Sequence, residues 1–367
     1  MNQNQAEFGN EECSPHEVND WITRGGPLQI VDVREAFELA EGLLPGAVHI
    51  PLRSVPGEVP QQLDPELPLV VYCQHGVRSL QAIRYLRAQG WARAISMSGG
   101  FVEWVEADLE IANEPAGDEP EVAMSERYMS QLRLPEFGLE GQRKLLESKV
   151  LVIGAGGLGC PVATYLAAAG VGELTIVDDD EVSLSNLPRQ VLFRTDEVGQ
   201  LKAPLVAQKL MAINSDVRVK NVTSRLNSDN AEDLLSGMNV IVDACDNFET
   251  RFTVNDAAAT LGIPVVHGAV HKFECIVTTF HPRGGGPCLR CLHPEPPGAE
   301  ECGSCAEVGV LGVLPGLIGM YQSLEVLKLL TGFGEPLIGE VMTLDTLNGD
   351  LRRFQLRPGV ACHHSSL

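Results

Sequence analysis

The stretch Val150-Leu151-Val152-Ile153-Gly154-Ala155-Gly156-Gly157-Leu158-Gly159 runs four apolar residues into a glycine-rich turn, and a helical pattern with Ala163 and Ala167 to Ala169 follows it. A strand buried on both faces of a parallel sheet reads as a short continuous apolar run. Glycines at its end let the backbone close on phosphate oxygens, and the following helix N-terminus adds N–H donors. The stretch therefore predicts strand, phosphate-cradling turn and helix, the opening unit of a Rossmann-like doubly wound α/β domain. Outward from it, Lys149 to Ile153, Glu173 to Asp178, Val217 to Val222, Val240 to Ala244 and Val265 to His267 are strand-like runs separated by helix-length segments. The second run ends at Asp178, 19 residues after Gly159, where a carboxylate is placed to hold ribose hydroxyls. On this motif alone an NAD(P)-dependent oxidoreductase leads.

Three further features favour adenylate chemistry. Asp178-Asp179-Asp180 is followed by Ser185-Asn186-Leu187-Pro188-Arg189-Gln190, then by Lys202, then by Asp243-Ala244-Cys245-Asp246-Asn247 with Arg251. A carboxylate is a poor acyl electrophile; activating it with ATP needs Arg and Lys on the phosphates and an acid to hold Mg²⁺ against the developing charge. Each Lys or Arg taken singly is an ordinary surface charge, but the set supplies every group this reaction requires.

The region from Arg127-Tyr128 to Cys362 resembles the MoeB/ThiF adenylyltransferases, relatives of the ubiquitin-activating enzymes. The matching pieces include Leu184-Ser185-Asn186-Leu187, Pro287-Cys288-Leu289-Arg290-Cys291 and Cys305 to Gly312. The resemblance implies that Gly154, Gly156 and Gly159, with Gly157 beside them, contact the nucleotide and that Asp178 holds its ribose. It implies that Asn186, Arg189, Gln190 and Lys202 bind phosphates, and that Asp246, next to Asn247, serves Mg²⁺. It further implies a homodimer that adenylates the C-terminus of a small ubiquitin-fold sulfur-carrier protein ending in Gly-Gly. Zinc sites in that family come from two C-x-x-C pairs. Here the first is Cys288 and Cys291, whereas the second reads Cys362-His363-His364-Ser365, so the expected set is Cys288, Cys291, Cys362 and a tail histidine, His364 or its neighbour His363, with Cys302 a further candidate ligand. By family position Cys305 is the redox-active or acyl-accepting cysteine. The family's Arg-Tyr-x-Arg-Gln pattern reads Arg127-Tyr128-Met129-Ser130-Gln131, and Ser130 cannot supply the second arginine's charge.

Upstream, Glu114 to Met124 is acidic, carries two prolines and lacks apolar periodicity, so it reads as a linker between residues 1–113 and 125–367. Before it, short β-type runs at Leu28 to Val33, Leu69 to Cys73 and Ala94 to Met97 alternate with helical patterns such as Ser79 to Gln89, predicting a small parallel α/β domain. Cys73 falls between a strand end and the helix that follows Gln74-His75-Gly76-Val77-Arg78, where loop amides, helix dipole and Arg78 favour the nucleophilic thiolate. Asp32 to Glu35, Gly46 to Pro51, the Cys73 to Ser79 loop and Ser98-Gly99-Gly100-Phe101 with Trp104 make residues 14–110 resemble rhodanese domains. That resemblance implies that Cys73 carries a sulfane sulfur as a persulfide, with Arg78 in the active loop, and that Asp32 and Arg34 form a structural ion pair.

Composition sets bounds on partners. The 367 residues carry a formal net charge of −22, which argues against nucleic acid or an anionic membrane, since both repel an acidic surface. The polar, acidic N-terminus does not read as a secretory signal, and no uninterrupted apolar run has the roughly 18 residues that span a bilayer. The expected compartment is the cytoplasm, where ten cysteines favour metal binding or thiol chemistry over disulfides. Together the readings point to ATP-dependent adenylation of a Gly-Gly carrier, coupled to sulfur transfer from Cys73 to give a thiocarboxylate. The resemblance implies a sulfur donor such as thiosulfate or a cysteine desulfurase persulfide and a pathway of the molybdopterin, thiamine or tRNA-thiolation type, and leaves the choice open. Two alternatives remain open: an oxidoreductase with a rhodanese sulfur-sensing domain, and a non-catalytic carrier-binding module.

Overall fold

A computed structural model describes residues 10–35, 38–39, 42–112, 127–295 and 309–359. The chain folds as two units, Met1–Met129 and Ser130–Leu367. In the first, strands β1 (Glu12–Cys13), β2 (Gln29–Asp32), β3 (Ala47–His49), β4 (Leu69–Tyr72) and β5 (Ala94–Met97) form one sheet in the order β1-β5-β4-β2-β3. Every pairing is parallel. Val31 and Val71 face one hydrophobic cluster while Ile30, Val70 and Ile95 face another, so both sides of the sheet are covered. This double burial is why β4 reads as an unbroken apolar run. Helix Pro15–Arg24 begins with Pro15 and a reciprocal capping box between Ser14 and Glu17.

The second unit is built on an eight-stranded sheet, order β13-β12-β11-β10-β9-β6-β7-β8. Its parallel part comprises β6 (Lys149–Ile153), β7 (Glu173–Val177), β8 (Arg218–Val222), β9 (Val240–Asp243) and β10 (Val265–His271). Three further strands, β11 (Glu274–Phe280), β12 (Glu340–Asp345) and β13 (Asp350–Gln355), extend it antiparallel from β10. The chain moves outward from β6 to β7 and β8, then returns to place β9 on the other side of β6. The doubly wound reading holds for the parallel strands, and the antiparallel extension is additional to it. Helix Val313–Thr331 is long and apolar enough to cross a membrane by length and composition. It packs against helix Gly159–Ala169 and β10, burying Ile318 and Val326 in the core.

Candidate active sites

In the first unit the sulfur of Cys73 sits at the end of β4, buried, inside the turn that leads into helix Val77–Ala88. Gly76 N–H and Ser79 N–H point at Sγ from 3.2 and 3.4 Å, and the Ser79 hydroxyl stands 3.6 Å away. Gly76 takes φ +89°, which turns its amide inward. The loop is clamped from behind: Phe101 N–H donates to the Cys73 carbonyl and Val102 N–H to that of Gln74. A Cβ on Gly100 would lie 2.1 Å from the Cys73 carbonyl oxygen, so only glycine lets these backbones meet. Arg78 does not hydrogen-bond the sulfur. Its two terminal nitrogens donate to Glu38 at 2.6 Å each, and this pairing, against the burial that opposes it, holds the Glu38 carboxyl below the usual range. Glu38 is a site residue that sequence reading missed; only the fold brings it to Arg78. Arg34 pairs with Asp32 at 2.8 Å, both fully buried, and lies over the Phe101 ring at 3.9 Å, which is the structural role expected of it.

In the second unit a cavity of about 1280 Å³ opens at the C-terminal ends of the parallel strands. The switch point between β6 and β9 lies there, where open α/β sheets bind ligands. Gly154, Gly156, Gly157 and Asp178 line it, as do Asn186, Arg189, Gln190, Lys202, Asp246 and Asn247. Gly159 does not; a Cβ there would lie 1.8 Å from the Gly154 carbonyl oxygen, so its absence of a side chain packs the helix against the turn. Gly154 has φ +100°, and its own missing Cβ leaves room against the Ala244 carbonyl. Gln190 is buried with its Oε1 lacking a partner among the described residues, and its amide lies against Gly156. That orphaned acceptor calls for a hydrogen-bond donor, which a phosphate oxygen does not supply.

Asp178 accepts hydrogen bonds from Ala155 N–H at 2.6 Å and Asp180 N–H at 2.9 Å, while burial, the dominant influence, raises its carboxyl above the ordinary range. Lys202 is buried and donates to Asp180 at 2.8 Å, so a phosphate would have to compete with that carboxylate for it. Asn247 caps helix Phe248–Leu261 by accepting from Thr250 N–H. Asp246 is exposed and has no hydrogen-bond or ion-pair partner among the described residues. Arg251 is committed to the main chain, donating to the carbonyls of Cys245 and Gly268. Ser130 is exposed.

Cys288 and Cys291 are 3.8 Å apart sulfur to sulfur, and Gly359 N–H donates to Cys291 at 3.3 Å. Cys302, Cys305, Cys362, His363 and His364 lie outside the described residues. Among the described residues no group of three or more His, Cys, Asp or Glu side chains is placed to hold a metal.

One chain thus carries a cysteine loop whose amides face the sulfur and an α/β domain with a cavity at its glycine turn. Residues 128–363 match the ThiF family, and residues 14–107 match the rhodanese-like domain. The chain belongs to the ThiF family, with a rhodanese-like domain preceding the ThiF region. It is 46% identical over 241 residues to a sulfur carrier protein adenylyltransferase of Thermus thermophilus, covering 65% of this chain and 89% of that protein. Against the SAMP-activating enzyme E1 of Haloferax volcanii it is 46% identical over 237 residues, covering 65% and 87%. Against the mouse adenylyltransferase and sulfurtransferase MOCS3 it is 47% identical over 231 residues; those residues are 63% of this chain and 50% of that one, so the match spans about half of that relative. The fold is that of Escherichia coli MccB, whose structure with ATP superposes with a TM-score of 0.53 at 19% identity, covering 72% of this chain and 85% of MccB.

Proposed function

We propose that the chain adenylates the C-terminal glycine of a small ubiquitin-fold sulfur-carrier protein with ATP and passes sulfur from Cys73 to the activated carboxyl, yielding a thiocarboxylate. The observation that carries this reading is the gathering of the glycine turn, Asp178, the Asn186–Gln190 turn, Lys202 and Asp246 around one cavity. An oxidoreductase needs the turn and Asp178 but gives no account of a buried lysine and an unpaired carboxylate across the cavity. The glycine turn and its helix N-terminus suit the triphosphate, and Lys202 and Arg189 suit its charge. Asp246 is the residue that would hold Mg²⁺, which supplies charge neutralisation when bound. The relatives' names support the carrier as substrate: one is a sulfur carrier protein adenylyltransferase and another a SAMP-activating enzyme.

For zinc, Cys288 and Cys291 would supply two ligands. Their 3.8 Å separation fits a tetrahedral edge of about 3.8 Å for Zn–S bonds near 2.3 Å. The bond from Gly359 brings the chain to this pair three residues before Cys362. We further propose a homodimer, a cytoplasmic setting in which the cysteines stay reduced, and thiosulfate or a cysteine desulfurase persulfide as sulfur donor. The test is carrier-dependent ATP–pyrophosphate exchange. Asp246→Ala should lose it by about 100-fold or more while thiosulfate-to-cyanide sulfur transfer persists; unchanged exchange in that variant would sink the adenylation reading.

A further inference from the structure

His267 is a buried group that the proposed chemistry does not use. It lies on β10 opposite Asp243 of β9, 1% exposed, and it lines the cavity. Its Nδ1 is 2.7 Å from Asp243 Oδ2. The same carboxylate accepts the Cys245 thiol at 2.7 Å and stands 3.7 Å from Arg251. The ring's other nitrogen, Nε2, has no hydrogen-bond partner among the described residues. A carboxylate on Nδ1 selects the tautomer with the proton there, which leaves Nε2 a pure acceptor. Burial, aided by the Arg251 charge and opposed by Asp243, lowers the imidazole from its ordinary value, so it stays neutral. The other groups around it are His293, beyond helix Leu289–Leu292, and the Phe280 ring, 5.4 Å away centroid to centroid.

Position decides which donor reaches that acceptor. Sheet order places β7, which ends at the ribose-side Asp178, on one side of β6, and β9 and β10 on the other. With the triphosphate on the turn after β6, the nucleoside extends toward β7, and the β9–β10 side is left for the carboxyl to be activated. A terminal Gly-Gly has no side chains and offers peptide N–H donors, which suits a narrow approach to a buried acceptor. Resting on the adenylation reading, we propose that His267 Nε2 accepts a hydrogen bond from the peptide N–H of the carrier's terminal glycine, orienting its carboxylate toward the nucleotide. His267 is thus a substrate-positioning residue, held by Asp243.

The experiment is a two-by-two cycle of carrier-dependent exchange with full-length enzyme. Wild type and His267→Phe are each assayed with a Gly-Gly carrier and with its semisynthetic counterpart ending in sarcosine, which lacks that N–H. The expected result is a carrier KM raised about tenfold by either change alone, with no further loss when they are combined. The KM for ATP and kcat should stay at wild-type values, and His267→Gln, which keeps an acceptor, should restore most of the loss. The sarcosine carrier leaves the enzyme intact, so its arm reads out even where a variant folds poorly. An unchanged carrier KM, a raised KM for ATP in its place, or two losses that multiply would overturn the inference alone. Absence of exchange in the wild-type enzyme would instead overturn the adenylation reading beneath it.

Discussion

Gly100 carries no chemistry, yet it fixes where the sulfur of Cys73 sits. Its φ is +62°, and a Cβ would meet the Cys73 carbonyl at 2.1 Å and the Gln74 carbonyl oxygen at 2.7 Å. Gly100→Ala must therefore push the cysteine loop away or strain the backbone, at about 1–3 kcal/mol. Thiosulfate-to-cyanide transfer should fall by more than about tenfold, and denaturant titration should show the first unit's transition shifted to lower concentration; an unaffected rate would mean that this packing does not position the sulfur. The placement of Cys73 between a strand and a helix was legible because strand end, glycine and helix start are contiguous in sequence. The partner of Arg78 was not. Glu38 lies 40 residues upstream, and nothing local marks it as the carboxylate that anchors the guanidinium.

At the scale of elements, the pairing of β9 with β10 buries a charged group whose protonation is linked to folding. Although burial pushes the other way, the Arg251 charge and the His267 hydrogen bond bring Asp243 from 3.8 down to about 2. A depressed carboxylate contributes stability that is present above pH 4 and lost as pH falls toward 2, on the order of 2 kcal/mol. His267 acts earlier in an acid titration. Its folded value is lowered, so the unfolded chain takes up a proton first, and stability begins to fall as pH drops below about 6.5. Calorimetry of the full chain should show two successive acid losses, and His267→Gln should remove the one nearer neutrality; a curve indifferent to that substitution would separate His267 from the linkage. This pair was not legible in sequence because 24 residues separate its members and only strand register joins them. Among the parallel strands β6, β7 and β9 were legible, β6 at both ends, since burial on two faces leaves largely apolar runs. β13 was missed because Asp-Leu-Arg-Arg-Phe-Gln is exposed throughout. β10 runs on to His271 because pairing with β11 sustains it beyond the apolar stretch. The zinc proposal also belongs here: purified protein should carry about one zinc per chain, and Cys288→Ser should abolish it, whereas retention of the metal would exclude that cysteine as a ligand.

For the whole molecule, the question is whether two units on one chain perform one reaction. Each has a separate core and a separate site, one built on Cys73 and one on the glycine turn after β6. Adenylation makes the carrier's carboxyl an electrophile, and a persulfide is a nucleophile able to displace AMP from it: the S–C bond forms, the C–O bond to AMP breaks, and AMP leaves with the electron pair. A thiol then attacks the Cys73 sulfur of the resulting acyl disulfide: a new S–S bond forms between them, the old S–S bond breaks, and the carrier thiocarboxylate leaves with the electron pair. If Cys73 is the donor, Cys73→Ala should form the carrier adenylate at the wild-type rate, because the described residues that line the nucleotide cavity all belong to the second unit. With thiosulfate as sulfur source it should yield no thiocarboxylate, seen in intact-mass spectra as loss of the species heavier by about 16 Da, sulfur in place of oxygen. Loss of adenylation as well would mean that the first unit supports the second. Thiocarboxylate at the normal rate from Cys73→Ala would remove the rhodanese-like domain from the relay and leave the adenylating unit to draw its sulfur from another donor.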